Sequence, residues 1–342
     1  MSLPLKQPLA PMDALLVSEM PEGEGWQYEP KWDGFRCLVF RDGSKVHLQS
    51  KSGQPLVRYF PEIADAFLKF EARRFVLDGE IAVPVNNQFS FDDLLERIHP
   101  AESRVRKLAK EHPAIFIAFD LLVGPDGKPL LKHPLRERRQ KLQAFAGKFF
   151  PRDKMIRLSP ATTDPATAKN WFKRVGGDLD GLVAKKLDCD YRSGTRDGME
   201  KVKLTRTADC VIGGFRYTSK AKVIGSLLLG LYDDQGLLNH VGFCSGLKTD
   251  ERKKLLRKLD PLIQPPGFTG RAPGGLSRWS TKRSMEWEPL KPKLVVEVSY
   301  DHFTGGRFRH GTSLIRWRPD KAPEQCCMDQ VRKIGCGSLG LL

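Results

Sequence analysis

Residues 28–36 read YEPKWDGFR. Lys31 stands just before Asp33-Gly34, a pair that favours a tight turn. The segment therefore sets a primary amine beside a turn, with Glu29 and Arg36 on either side. An amine attacks phosphorus only when deprotonated, and nearby cations lower its pKa and favour that form. A plain charged turn between strands would use the same residue types, so the meaning of the string depends on its surroundings.

Moving outward, the chain up to residue 207 mixes strands and helices. RCLVF (36–40), KVHLQ (45–49), FVLDGEIAV (75–83), IFIAFDLL (115–122), GLVAKK (181–186) and EKVKL (200–204) read as strands. PEIADAFLKF (61–70), PLRERRQKLQAFA (134–146) and PATAKNWFKRV (165–175) read as helices, the last with Asp164 as N-cap and Pro165 in its first turn. From residue 208 the pattern changes to short strands separated by turn residues: ADCVIGGFR, SLLLGLYD, LLNHVGFCS, KLVVEVSYD and SLIRWRP. One helix, DERKKLLRKL (250–259), interrupts them, and PPGFTGRAPGGLS (265–277) reads as an exposed loop. Five short strands and a helix suit a small antiparallel barrel of the OB type. The expected class is α+β, with domains at 1–207 and 208–342 and a hinge near 205–208.

The chemistry-bearing residues fall in order along this frame. LDGE (77–80) ends an apolar strand on Glu80. AFDLL (118–122) carries Phe119, an aromatic able to stack on a base. LDGLVAKK (179–186) leads into a strand through Asp180. Lys201 and Lys203 share one face of a strand because side chains alternate with period two. RWRPDK (316–321) adds Arg316, Arg318, Asp320 and Lys321. Each alone is an ordinary carboxylate, core aromatic or surface cation. Together they supply an amine nucleophile, two metal-capable carboxylates, a stacking ring and paired cations, which is what phosphoryl transfer needs.

Composition agrees. The chain has 57 basic and 41 acidic residues, net +16, and residues 208–342 are the more basic part at 22 against 13. Such an excess suggests a polyanionic partner. The seven cysteines include no CxxC pair, which argues against a disulfide framework or a four-cysteine zinc site. No uninterrupted apolar run is long enough for a membrane span, and the N-terminus does not read as an export signal, so a cytosolic protein is expected. GPDGKP (124–129) does not have P-loop spacing.

The ordered set resembles the six motifs of the covalent nucleotidyltransferases, which comprise ATP-dependent DNA ligases, RNA ligases and mRNA capping enzymes. The resemblance runs from Glu29 to Lys321. It is strongest to the bacterial ATP-dependent ligases of the small ligase C group, through RIHPAESRVR (97–106), RTADCV (206–211) and GSLLLGLYDD (225–234). It implies an ATP-grasp-like nucleotidyltransferase domain followed by an OB-fold domain. It also implies ATP as co-substrate, Mg²⁺ or Mn²⁺, nicked double-stranded DNA as partner with a repair polymerase, and a nucleoid-associated location in the bacterial cytoplasm.

By the same resemblance Lys31 would carry AMP and Glu29 would recognise the adenine amino group. Arg36 and Glu80 would hold ribose or phosphate, Phe119 would stack on adenine, and Glu80 and Asp180 would bind metal. Lys201 and Lys203 would contact the α-phosphate, while Arg316, Arg318, Asp320 and Lys321 would orient pyrophosphate. Lys51 would meet the 5′-phosphate of the nick. Two positions depart from the family pattern. Asp180 replaces the commoner Glu and keeps the carboxylate on a shorter stem. Ser50-Lys51 replaces Ser-Arg and keeps the charge without the bidentate fork. With no further domain before residue 1, these two domains would grip duplex DNA through backbone contacts. Two other readings are a GTP-using capping enzyme or RNA ligase, and a non-catalytic basic OB-fold protein.

Overall fold

The computed structural model describes residues 3–150, 155–174, 179–203, 205–219, 221–274, 286–332 and 338–342. The chain divides into two compact units, Met1–Leu204 with Ile334–Leu342, and Thr205–Lys333. No helix among the described residues is long and apolar enough to cross a membrane.

The first unit is built on two sheets. One has the order β4 (Lys45–Ser50), β3 (Phe35–Asp42), β5 (Arg74–Ala82), β8 (Ile115–Val123), β9 (Ile156–Leu158). The other runs β1 (Leu15–Leu16), β11 (Met199–Lys203), β10 (Gly181–Lys186), β2 (Trp26–Lys31). A small hairpin, β6 (Pro84–Val85) and β7 (Gln88–Phe89), follows β5. Period-two alternation decides which side each residue serves. Cys37, Val39, Phe75 and Leu77 join Phe67, Phe116 and Phe145 in one core, built with α1 (Pro61–Leu68) and α4 (Leu135–Phe149). Leu38, Phe40, Val76 and Leu122 face the other way and pack with Tyr191, Val183 and Met199. The two faces of the first sheet are both buried, so its central strands are mostly apolar, with Asp78 and Asp120 among the few charges. Each large side chain so buried contributes roughly 1.5–3 kcal/mol.

The second sheet is covered on its far side by α5 (Pro165–Arg174), where Ala168 meets Tyr28, Leu182 and Ala184. As expected, Asp164 caps α5, accepting hydrogen bonds from the backbone N–H of Ala166 at 3.0 Å and Thr167 at 2.9 Å. Strand β2 was not foreseen, because WQYEPK contains a proline and charges. It lies at the edge of the sheet, the position where proline is tolerated. Two short helices, α2 (Phe91–Glu96) and α3 (Glu102–Glu111), also went unread. Each buries only one residue, Leu94 and Val105, which leaves too weak an apolar stripe to signal a helix.

In the second unit β14 (Leu238–Cys244), β13 (Ile224–Tyr232), β12 (Arg206–Tyr217), β16 (Val295–Tyr300) and β19 (Ser313–Trp317) form an antiparallel sheet, with β15 (Glu288–Pro289) paired to β12. Register shifts interrupt β12, β13 and β16, and such bulges curl a sheet. A bridge between Cys244 and Thr312 joins the two edges into a barrel. A hairpin of β17 (Phe303–Thr304) and β18 (Arg307–Phe308) precedes β19. Helix α6 (Thr249–Leu259) buries Leu255 and Leu259 in the barrel core.

The units part between Leu204 and Thr205, three residues before the expected boundary. The C-terminal tail, expected with the barrel, clusters instead with the first unit. There Leu339, Leu341 and Leu342 pack against a patch formed by Trp32, Ala82, Phe89, Ile115, Ile117 and Leu179. Residues 333–337, within the segment GCGSLGLL and its approach, lie outside the described residues.

Candidate active site

Strands β2, β10 and β11 run antiparallel in a register that aligns three rows of residues. Lys31 lies opposite Gly181 and Gly181 opposite Lys203. Glu29 lies opposite Val183 and Val183 opposite Lys201. Gln27 lies opposite Lys185 and Lys185 opposite Met199. These odd-numbered positions share one face. Glu29, Lys31, Val183, Lys185, Met199 and Lys201 line a cleft of about 780 Å³ whose other walls carry Arg36, Lys51, Glu80 and Phe119.

Lys31 ends β2, just before the Asp33-Gly34 turn. Its ammonium donates to the Asp180 carboxylate, and Lys203 Nζ lies 3.7 Å from the other oxygen of Asp180. The Asp180 N–H donates to the Lys31 carbonyl at 3.0 Å, which ties nucleophile and carboxylate together through the backbone. Gly181 makes this approach possible. Its φ is +143°, and a Cβ there would lie 1.9 Å from the Val202 carbonyl oxygen. The sequence reading surrounded Lys31 with cations. The structure adds a carboxylate in direct contact.

Glu29 is 2% exposed and accepts hydrogen bonds from Lys185 Nζ and Gln27 Nε2, each at 2.8 Å. The Lys185 ammonium also stands 4.7 Å from the Phe119 ring centroid, and the Arg36 guanidinium lies 4.5 Å from the same ring. Such contacts hold a ring in place by cation–π attraction.

Arg36 forms a fork with Asp78, both bonds at 2.6 Å, and donates to the Met12 carbonyl at 3.2 Å. Tyr191 OH donates to the same Asp78 at 2.6 Å and accepts from the Met12 N–H at 3.0 Å. Burial favours loss of the Arg36 proton, but Asp78, Tyr191 and Glu80 more than offset it and hold the guanidinium charged. Burial, with Asp78 beside it, pushes the Tyr191 phenol well above its ordinary value.

Glu80 pairs with Arg36 across β3 and β5. Burial pushes its carboxyl up to about 7; Lys31 and Arg36 oppose the rise, and Asp33 and Asp78 add to it. Lys51 Nζ contacts Asp13 Oδ2 at 2.5 Å, and Lys201 Nζ lies 4.0 Å from Asp13 Oδ1. Burial lowers the Lys201 pKa. Repulsion from Lys31, Lys51 and Lys203 lowers it further, against the pull of Asp13.

Of the first unit's candidates, Glu29, Lys31, Arg36, Lys51, Glu80, Phe119 and Lys201 line one cleft, and Asp180 and Lys203 adjoin it through Lys31. Arg316, Arg318, Asp320 and Lys321 lie in the barrel unit, where they form a separate ionic cluster. Arg318 donates to Asp209 at 3.0 Å and Asp320 at 2.8 Å, Lys321 to Asp209 at 2.7 Å, and Arg316 to Glu297 at 2.6 Å. Hydrogen bonds from Arg318 hold the Asp320 carboxyl down at about 2.

Sequence reasoning missed Asp13, Asp78, Lys185, Tyr191 and Asp209. Lys185 had a signal, since the strand read at 181–186 puts it on the same face as Gly181 and Val183 by period-two alternation. Asp78 had one in its place two residues before Glu80. Asp13, Tyr191 and Asp209 had none, because their roles arise from contacts between segments far apart in the chain.

The geometry can be set beside known proteins. Residues 11–203 match the model of the ATP dependent DNA ligase domain, and residues 220–321 match that of the ATP dependent DNA ligase C terminal region. The chain is 43% identical to DNA ligase C2 of Mycolicibacterium smegmatis, over 97% of this chain and 96% of that one. It is 42% identical to DNA ligase C of Mycobacterium tuberculosis, over the same shares. Among solved structures, a Lig E DNA ligase is similar in fold, with a TM-score of 0.52 at 17% identity, covering 90% of this chain and 100% of that one. A lysine tied to a carboxylate in a cation-rich cleft, followed by a barrel unit, is thus found in a chain matched over most of its length: it belongs to the ATP-dependent DNA ligases.

Proposed function

We propose that the chain seals nicks in double-stranded DNA through an AMP carried on Lys31, and that it serves DNA repair. The observation that supports this best is the position of the Lys31 amine, in the same cleft as Glu29, Phe119 and the Lys51–Lys201 pair.

In the first step a bond forms between Lys31 Nζ and the α-phosphorus of ATP as the bond to pyrophosphate breaks, and the amine gives up a proton. Lys31 must first turn from Asp180 to the phosphorus. Glu29 accepts from the adenine amino group, and the base stacks on Phe119, whose ring is held by Arg36. Lys201 and Lys203 offset charge that builds on the phosphate. Arg316, Arg318 and Lys321 of the barrel unit orient the pyrophosphate. In the second step AMP passes to the 5′-phosphate of the nick, which Lys51 receives. In the third the 3′-hydroxyl attacks that phosphate and AMP leaves. The barrel unit contributes to the first step and moves about the Leu204–Thr205 junction for the others.

Glu80 and Asp180 fit a divalent cation. Both stand close to Lys31, and burial keeps the Glu80 carboxyl raised even though Lys31 and Arg36 oppose the rise, so a further cation beside it would favour its ionised form. Among the described residues no group of three or more His, Cys, Asp or Glu side chains gathers to form a complete protein cage. Two carboxylates with substrate oxygens and water suit Mg²⁺ or Mn²⁺. When bound, the ion would stabilise negative charge on the phosphates.

The test is nick sealing with ATP, NAD or GTP as the only nucleotide. Sealing with ATP alone is expected. Covalent labelling by GTP alone would favour a capping enzyme and overturn the assignment.

A further inference from the structure

Asp13 has no part in the steps above, yet its carboxylate stands in the cleft against Lys51 and Lys201, two of the three lysines assigned to phosphates. Carboxylates divide the lysines in and beside the cleft, and Glu29 takes Lys185. Asp180 takes Lys31 and Lys203; Asp13 takes Lys51 and Lys201. The backbone around Asp13 is fixed. Its N–H donates to the Thr195 carbonyl at 2.8 Å, and Met12 beside it is held by Tyr191 and Arg36. Its side chain, in contrast, is a quarter exposed, and Lys51 is 60% exposed.

We propose that Asp13 is a phosphate-exchanged carboxylate. In the empty cleft it occupies Lys51 and Lys201 as an internal anion. The substrate phosphate displaces it, and it recaptures the lysines as phosphate departs. Asp13 therefore sets how tightly the cleft holds phosphate. The inference rests on the reading of Lys51 and Lys201 as phosphate contacts.

The sign follows from comparing two effects. An exposed ion pair of this kind shifts an equilibrium by less than about fivefold, so separating it is cheap and its positioning value is small. A carboxylate left about 6 Å from a phosphate opposes binding by roughly threefold for each negative charge in a water-like medium. A dianionic 5′-phosphate thus gains more from neutralising Asp13 than it loses from a less anchored Lys51. The wild-type residue gives up affinity, and the benefit is faster release of product.

The experiment measures binding of the full chain to nicked duplex, without nucleotide or metal, bearing either a 5′-phosphate or a 5′-hydroxyl. Asp13→Asn should bind the 5′-phosphate nick about three- to tenfold more tightly and the 5′-hydroxyl nick unchanged. Adding Lys51→Met should remove the gain. Asp13→Ser, which keeps an acceptor for the Ala14 N–H that Asp13 now receives at 3.1 Å, should shift in the same direction and guards against misfolding of the first variant. Weaker binding, no change, or equal tightening for both ends would overturn the proposal. Transfer of AMP to wild-type protein from ATP is measured in parallel. If wild type is labelled and the variants do not gain, only the role of Asp13 falls. If wild type takes no label, the reading beneath it falls as well.

Discussion

The substitution Glu80→Gln should separate stability from chemistry. In the folded protein the Glu80 carboxyl is raised from its ordinary 4.5 to about 7. Below pH 4.5 the group is neutral in both folded and unfolded chains and has no effect. Between 4.5 and 7 the unfolded chain releases the proton while the folded chain retains it, so stability falls as pH rises through this window. Above pH 7 the full cost of the buried charge persists. At about 1.4 kcal/mol per pH unit this cost is on the order of 3 kcal/mol. Glutamine is nearly isosteric and never ionises. Compared with wild type, Glu80→Gln should therefore have equal stability near pH 4 and be more stable at pH 8 by up to roughly 3 kcal/mol. The assay is urea unfolding of the first unit at both pH values, without nucleotide or metal. Adenylation should meanwhile fall steeply, because an amide is a poor ligand for a divalent cation. A variant no more stable than wild type at pH 8 would refute the reasoning.

Three further outcomes follow from the same geometry. Lys185→Met leaves the buried Glu29 charge with only Gln27, so a melt should show a loss of about 3–5 kcal/mol, with a higher KM for ATP; an unchanged melt would contradict the pairing. Gly181→Ala forces a Cβ toward the Val202 carbonyl at a φ that alanine rarely adopts, so thermal stability should drop by more than about 1 kcal/mol; wild-type stability would show that the β10–β11 junction is looser than described. Arg318→Ala removes the partner of Asp209 and Asp320 on the barrel, and should slow Lys31 adenylation at least about tenfold while sparing the sealing of a nick already carrying AMP; equal losses in both steps would remove its assignment to pyrophosphate.

Much of this architecture was legible because burial imposes simple patterns. FVLDGEIAV and IFIAFDLL are mostly apolar since both faces of their sheet are covered, and the period-two rule placed Lys201 and Lys203 on one face. Asp164-Pro165 announced α5 through capping chemistry. Strand β2 was harder, because its single proline and charges are tolerated only at an edge, a fact that emerges from pairing. The site was legible where motif residues are local, as in Glu29, Lys31 and Arg36. It was opaque where a side chain acts across sequence distance. Tyr191 reaches Asp78 over 113 positions, and Arg318 reaches Asp209 over 109. The tail was unreadable for a similar reason: its leucines gain their place only from the patch around Trp32.

The most direct measurement is mass analysis of the purified chain after incubation with ATP and Mg²⁺, with the modified residue located by peptide mapping. One adenylyl group on Lys31, absent from Lys31→Ala, is the predicted result. Protein that acquires no adenylyl group, or acquires it on another residue, would contradict the assignment of Lys31 as the nucleophile.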